Sequence, residues 1–128
     1  MGLKVVIFED DKDFADFIKD LMERSHFDVI NCYNLKNSNW KDADIVLGDF
    51  RNKIVPFKTL QIECESLDIP LIAISGSDTD YSPQLLKPFQ LEDLQSLILN
   101  ELMRKNKLAT NSKRSGTTGF FARIKNFF

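Results

Sequence analysis

Residues 4–11, Lys-Val-Val-Ile-Phe-Glu-Asp-Asp, constrain this chain more than any other stretch. Val5-Val6-Ile7-Phe8 is too short for a helix, and its β-branched content reads as a strand buried on both faces, as at the centre of a parallel sheet. The run stops at three consecutive acids, Glu9, Asp10 and Asp11. Carboxylates crowded at a strand end repel one another unless a cation or a lysine shares the place. Two later stretches have the same form. Asp44-Ile45-Val46-Leu47-Gly48-Asp49 is an apolar run ending in an acid, and Leu85-Leu86-Lys87-Pro88-Phe89 is one ending in a lysine. In an open parallel α/β sheet the carboxyl ends of the strands share one edge, and ligands bind there.

The remaining chain alternates between the two periods. Asp11 can cap a helix over about 12–25, whose stripe is Phe14, Phe17, Ile18, Leu21 and Met22. A second strand runs from Phe27 to about Tyr33. Residues 34–43 are polar and turn-rich, so the next helix is short or poorly formed, with Trp40 at the edge of the core. Ile45–Asp49 is the third strand. Pro56 suits the first turn of a helix that buries Phe57, Leu60, Cys64 and Leu67. Leu71–Ser75 is the fourth strand and about Gln84–Lys87 the fifth. A last helix begins near Leu91, with a stripe of Leu91, Leu94, Ile98 and Leu102. Such alternation argues for parallel βαβ units. One unit is incomplete: residues 76–83 have no helical stripe and end in proline. Eight extended residues reach roughly 26–29 Å, enough to pass a strand of about 17 Å without a helix. The fourth helix is therefore expected to be absent or a single turn, leaving a sheet face in need of another cover.

Length bounds the chain to one domain over residues 1–106 with an appended tail, 107–128. No apolar run approaches the ~20 residues needed to cross a bilayer, and the N-terminal stretch reads as a strand rather than as a basic-then-apolar secretory pattern. Cys32 and Cys64 lack metal-ligand spacing and read as reduced core residues of a cytosolic protein. His26 is the only histidine, which excludes a histidine-based metal or catalytic cluster, and no glycine-rich phosphate loop is present. Residues 1–106 hold 12 basic against 19 acidic residues, whereas 107–128 hold five basic and no acidic ones. An acidic body with a basic tail implies two parts with different tasks.

Taken in order, the acidic run Glu9-Asp10-Asp11, Asp49, Ser75 and Lys87-Pro88-Phe89, at the ends of strands 1, 3, 4 and 5, resemble the receiver domain of two-component response regulators over about residues 3–106. The resemblance implies a flavodoxin-like, doubly wound five-stranded parallel sheet of order 2-1-3-4-5. It implies that Asp49 accepts a phosphoryl group from a phosphohistidine of a sensor histidine kinase or phosphotransfer protein. It implies that Mg²⁺ is held by Asp10, Asp49, the Arg51 backbone carbonyl and, through water, Glu9. Lys87 would pair with the acceptor carboxylate and Ser75 would bond a phosphoryl oxygen, with Gly76 leaving room. The setting implied is the bacterial cytoplasm, with no enzymatic activity beyond self-phosphorylation and self-dephosphorylation.

The chain also departs from the family. The loop after Asp49 lacks the usual proline-glycine pattern, and Arg51 puts a cation beside the site, where a phosphatase acting on outside substrates would want a carboxylate. Gln84 stands where an aromatic usually reports phosphorylation to the output face; Tyr81 has the wrong spacing for that role. With no DNA-binding domain expected, output would pass through a downstream protein or a homodimer using the face of strands 4 and 5. The alternative is a scaffold of receiver fold that exchanges no phosphate and works through its tail. There, after a flexible linker over 107–119, Phe120, Phe121, Ile124, Phe127 and Phe128 form one helical stripe with Arg123 and Lys125 off it. The stripe suits packing in cis on the bare sheet face, docking in a partner's groove, or contact with an anionic membrane such as the inner membrane.

Overall fold

Five parallel strands in the order β2-β1-β3-β4-β5 form the frame of the computed structural model, which describes residues 2–105. The strands are β1 (Lys4–Phe8), β2 (Asp28–Asn31), β3 (Ile45–Asp49), β4 (Leu71–Ser75) and β5 (Gln84–Leu86). The helices are α1 (Lys12–Glu23), α2 (Phe57–Ser66) and α3 (Leu91–Arg104), with a single 3-10 turn at Ser38–Trp40. The tail, 107–128, lies outside the described residues.

The central strands are as apolar as their sequences require. Val5 to Phe8, Ile45 to Leu47 and Leu71 to Ile74 are all buried, with alternate residues serving opposite faces. On one face, Val5, Ile7, Leu47 and Ile72 pack with Ile18 and Met22 of α1 and Leu94, Ile98 and Leu102 of α3. On the other, Val6, Phe8, Val46 and Ala73 pack with Trp40 and with Phe57, Leu60 and Cys64 of α2. Gly48 permits this second layer its close approach. A Cβ there would lie 2.8 Å from Leu60 Cδ2.

Asp11 caps α1, accepting the Phe14 N–H at 3.2 Å, and Pro56 stands one residue ahead of α2. No helix lies between β4 and β5, and residues 76–83 return as a loop. Tyr81 covers part of that face. Its ring packs edge-on against Phe57, with centroids 4.9 Å apart, and its hydroxyl donates to the Leu71 carbonyl at 3.0 Å.

Three expectations about burial are corrected. Trp40 is wholly buried rather than at the core edge, because the short 3-10 turn lowers it onto Phe8 where a full helix would otherwise lie. Leu67 is 40% exposed, because α2 ends at Ser66 and the chain turns away. Phe17 is 57% exposed, because Ala15, Ile18 and Met22 form the inward face of α1. Strand β2 is also shorter than its apolar run, ending at Asn31, and α1 stops at Glu23.

Candidate functional site

The parallel register brings the ends of β1, β3, β4 and β5 to one edge. Phe8 pairs with Gly48, Asp49 with Ile74, and Ser75 with Leu86. The residue after β1, the last of β3, the last of β4 and the residue after β5 are Glu9, Asp49, Ser75 and Lys87. Carboxylate oxygens of Glu9, Asp10 and Asp49 all lie within 4.8 Å of one another.

The three acids are held differently. Glu9 is 2% exposed; its Oε1 accepts from Lys87 Nζ at 3.2 Å and its Oε2 from the Asp11 N–H at 3.1 Å. Burial, foremost, and the Asp49 carboxylate push Glu9 above its ordinary range, against the Asp11 N–H and Lys87, which draw it down. Asp10 is half-buried, and its Oδ2 accepts the Lys53 N–H at 3.0 Å, which ties the loop after β3 to the end of β1. Asp49 is the least engaged. Among the described residues, its carboxylate receives only the long 3.4 Å approach of the Arg51 N–H.

Lys87 is placed by Phe89 and Phe14. The two rings meet edge to face with centroids 6.1 Å apart, and the ammonium lies 4.2 Å from the centre of the Phe14 ring. The expected pairing of Lys87 with Asp49 is therefore corrected: its ion pair is with Glu9. Glu9 is the most deeply buried of the three acids, so its charge is the costliest to leave uncompensated. Ser75 is also turned inward, its hydroxyl donating to the Ser77 carbonyl at 2.7 Å and accepting the Ser77 N–H at 3.2 Å. A Cβ added at Gly76 would meet nothing within 4 Å, so the space beside Ser75 is open. Arg51 reaches across to donate to Ser77 Oγ at 3.0 Å, joining the loops that follow β3 and β4.

Several residues of this edge gave no signal in the sequence. Phe14 reads as one member of a core stripe, Ser77 as part of the 76–83 stretch and Asn52 as part of the loop after Asp49. Asn52 is 8% exposed, and its side-chain oxygen accepts the N–H groups of Ile54 and Val55, shaping the loop over Asp49. Gln84 clasps the β4–β5 loop. Its Oε1 accepts the Thr79 N–H at 2.9 Å, and its Nε2 donates to Asp78 Oδ1 at 2.6 Å.

No family model matches the sequence, and no curated protein matches it significantly. Solved structures do. The receiver domain of the Francisella response regulator 1452 is 22% identical, with a TM-score of 0.67 over 80% of this chain and 98% of that one. A response regulator receiver domain from Clostridium thermocellum is 20% identical, with a TM-score of 0.68 over 83% of this chain and 98% of that one. The fold is that of a receiver domain. A further receiver of the same fold belongs to a sensor histidine kinase, PA1611 of Pseudomonas aeruginosa PAO1. It is 16% identical, with a TM-score of 0.69 over 80% of this chain and 98% of that one, and has a magnesium ion coordinated in its active site cleft. Between β4 and β5 this chain has no helix, as its 76–83 stretch predicts.

Proposed function

We propose that this chain is a phosphoacceptor of two-component signalling, taking a phosphoryl group onto Asp49 from a phosphohistidine of a sensor kinase or phosphotransfer protein. The observation that carries the reading is the convergence of Glu9, Asp10 and Asp49 within 4.8 Å at one sheet edge, with a lysine bonded to the most buried of them. Asp49 suits the nucleophile, since its oxygens are the least committed of the three. In the transfer an Asp49 oxygen bonds to phosphorus as the phosphorus–nitrogen bond breaks and the imidazole leaves with the electron pair. Such transfers depend mainly on positioning and charge neutralisation.

The donor set fits Mg²⁺, which prefers oxygen ligands. Asp10, Asp49 and the Arg51 carbonyl would hold it, with Glu9 one water further out, and when bound it supplies the positive charge that three acids and a phosphoryl group require. Lys87 would exchange part of its hold on Glu9 for the phosphoryl oxygens, and the Ser75 hydroxyl would leave Ser77 for another of them. Arg51 and Ser77 carry that change into the 76–83 loop, which a downstream protein would read. No helix among the described residues is long and apolar enough to cross a membrane, and the reading places the chain in the bacterial cytoplasm.

Phosphoramidate, a small donor with a phosphorus–nitrogen bond, tests this directly. Incubated with the full chain and Mg²⁺, it should add the mass of one phosphoryl group. The addition should be absent in Asp49→Asn and when Mg²⁺ is chelated. A folded wild-type chain that gains no mass, or an Asp49→Asn chain that still does, would contradict the assignment.

A further inference from the structure

The missing fourth helix leaves two grooves on the α2 side of the sheet, one on either side of Tyr81. The larger, of about 520 Å³, lies between Phe50, Pro56, Phe57 and Tyr81. The smaller, of about 310 Å³, lies between Ile69, Leu71, Tyr81, Arg104 and Lys105. They share Gln61, Asp80 and Tyr81, so they form one continuous surface interrupted by a single ring. Its floor is aromatic: Phe50 and Phe57 have centroids 5.0 Å apart, and Tyr81 continues the row.

Three observations bear on what covers this surface. The described chain runs directly to it, because α3 ends at Arg104, and Arg104 and Lys105 form part of the wall of the smaller groove. The 14 residues of 106–119 then separate that point from the stripe of Phe120, Phe121, Ile124, Phe127 and Phe128. A flexible linker of this length has a root-mean-square span of about 20 Å, enough to reach any part of one face of a domain this size. Charge agrees as well. The stripe carries Arg123 and Lys125 on its flanks, and residues 1–106 hold 19 acidic against 12 basic residues; the groove walls themselves mix Glu65 and Asp80 with Lys58, Arg104 and Lys105, so the attraction is to the acidic body and the grooves take the apolar stripe. Tethering supplies the rest, since a short linker holds its end at an effective concentration on the order of millimolar. A contact too weak to bind in trans is then sufficient in cis.

We infer that the segment Phe120–Phe128 docks in cis into these two grooves, its aromatic stripe against Phe50, Phe57 and Tyr81, in the place of the missing fourth helix. The docked segment covers the 76–83 loop, the same loop that Arg51 ties to the end of β3 through Ser77. The inference does not depend on whether Asp49 accepts phosphate.

The test uses the full chain with Asn126→Cys, a position off the stripe, carrying a nitroxide label. Cys32 and Cys64 are both buried, and burial pushes the Cys64 thiol up to about 12, so labelling is directed to the new cysteine. Amide resonances of Gln61, Asp80, Tyr81 and Ser82 should lose more than half their intensity. Adding Phe121→Glu and Ile124→Glu should restore them, while the amides of α1 stay unchanged throughout. In a mixture of labelled, isotope-silent chain with unlabelled, isotope-enriched chain, the same amides should keep their intensity. Equal broadening in the mixture would mean that a second copy fills the grooves, and would overturn the inference. Absence of broadening at these amides would also overturn it; cosedimentation of that chain with vesicles of anionic lipid would assign the stripe to a membrane surface instead.

Discussion

Glu9 and Lys87 show how one buried charge organises the site. Glu9 is 2% exposed and both its oxygens are bonded, one of them to Lys87, which is itself held against the Phe14 ring. Lys87→Met keeps most of the length of the side chain and removes the charge. We expect it to lower stability by ~1–3 kcal/mol at neutral pH, the range for leaving a buried polar group without its partner. Urea denaturation at pH 7 measures this; a loss below ~0.5 kcal/mol would mean that the pair contributes little. The acids and the lysine were all legible in the sequence, because each follows an abrupt end of an apolar run. Their pairing was not. The choice of Glu9 over Asp49 depends on relative burial and on the rings of Phe14 and Phe89, neither of which spacing can express.

At the scale of elements, the β4–β5 loop replaces a helix with hydrogen bonds. Gln84 accepts from the Thr79 N–H and Oγ1 and donates to Asp78, Thr79 Oγ1 also accepts the Tyr81 N–H, and the Tyr81 hydroxyl fixes the far end to Leu71. Gln84→Ala removes the hub of this set. Amide exchange of residues 78–82 should then accelerate by at least tenfold, with the amides of β1 and β3 unaffected. Unchanged exchange would show that Tyr81 packing alone holds the loop. The absence of the helix was readable, since residues 76–83 carry no apolar stripe and end in Pro83. What fills its place was not, because Gln84 and Tyr81 act through contacts that local periodicity does not encode. The same limit explains Phe17 and Leu67. A stripe at helical spacing identifies an apolar face, but whether its edge or its last turn is covered depends on where the helix stops and what stands opposite.

For the molecule as a whole, the grooves around Tyr81 define an alkaline limit. Burial, first among the causes, pushes the Tyr81 hydroxyl from 10.0 up to about 12 and the Cys64 thiol from 9.0 up to about 12. Each group therefore keeps its proton in the folded chain at a pH where the unfolded chain has lost it. The contribution of these two groups to stability is full below pH 9 and falls as pH rises toward 12, and Tyr81→Phe should flatten the part of that fall above pH 10. Thermal melting between pH 8 and pH 11 in wild type and Tyr81→Phe checks the sign; parallel curves would contradict it. The carboxyl edge of the sheet, where strand order and register bring Glu9, Asp10 and Asp49 together, is the proposed phosphoacceptor site. Beryllofluoride binding in the presence of Mg²⁺, followed by calorimetry on the full wild-type chain and on Asp49→Ala, tests it most directly. Binding by the wild type that requires Mg²⁺ and disappears in Asp49→Ala is the predicted result. A folded wild-type chain that binds neither Mg²⁺ nor beryllofluoride would contradict the phosphoacceptor and leave a scaffold of receiver fold.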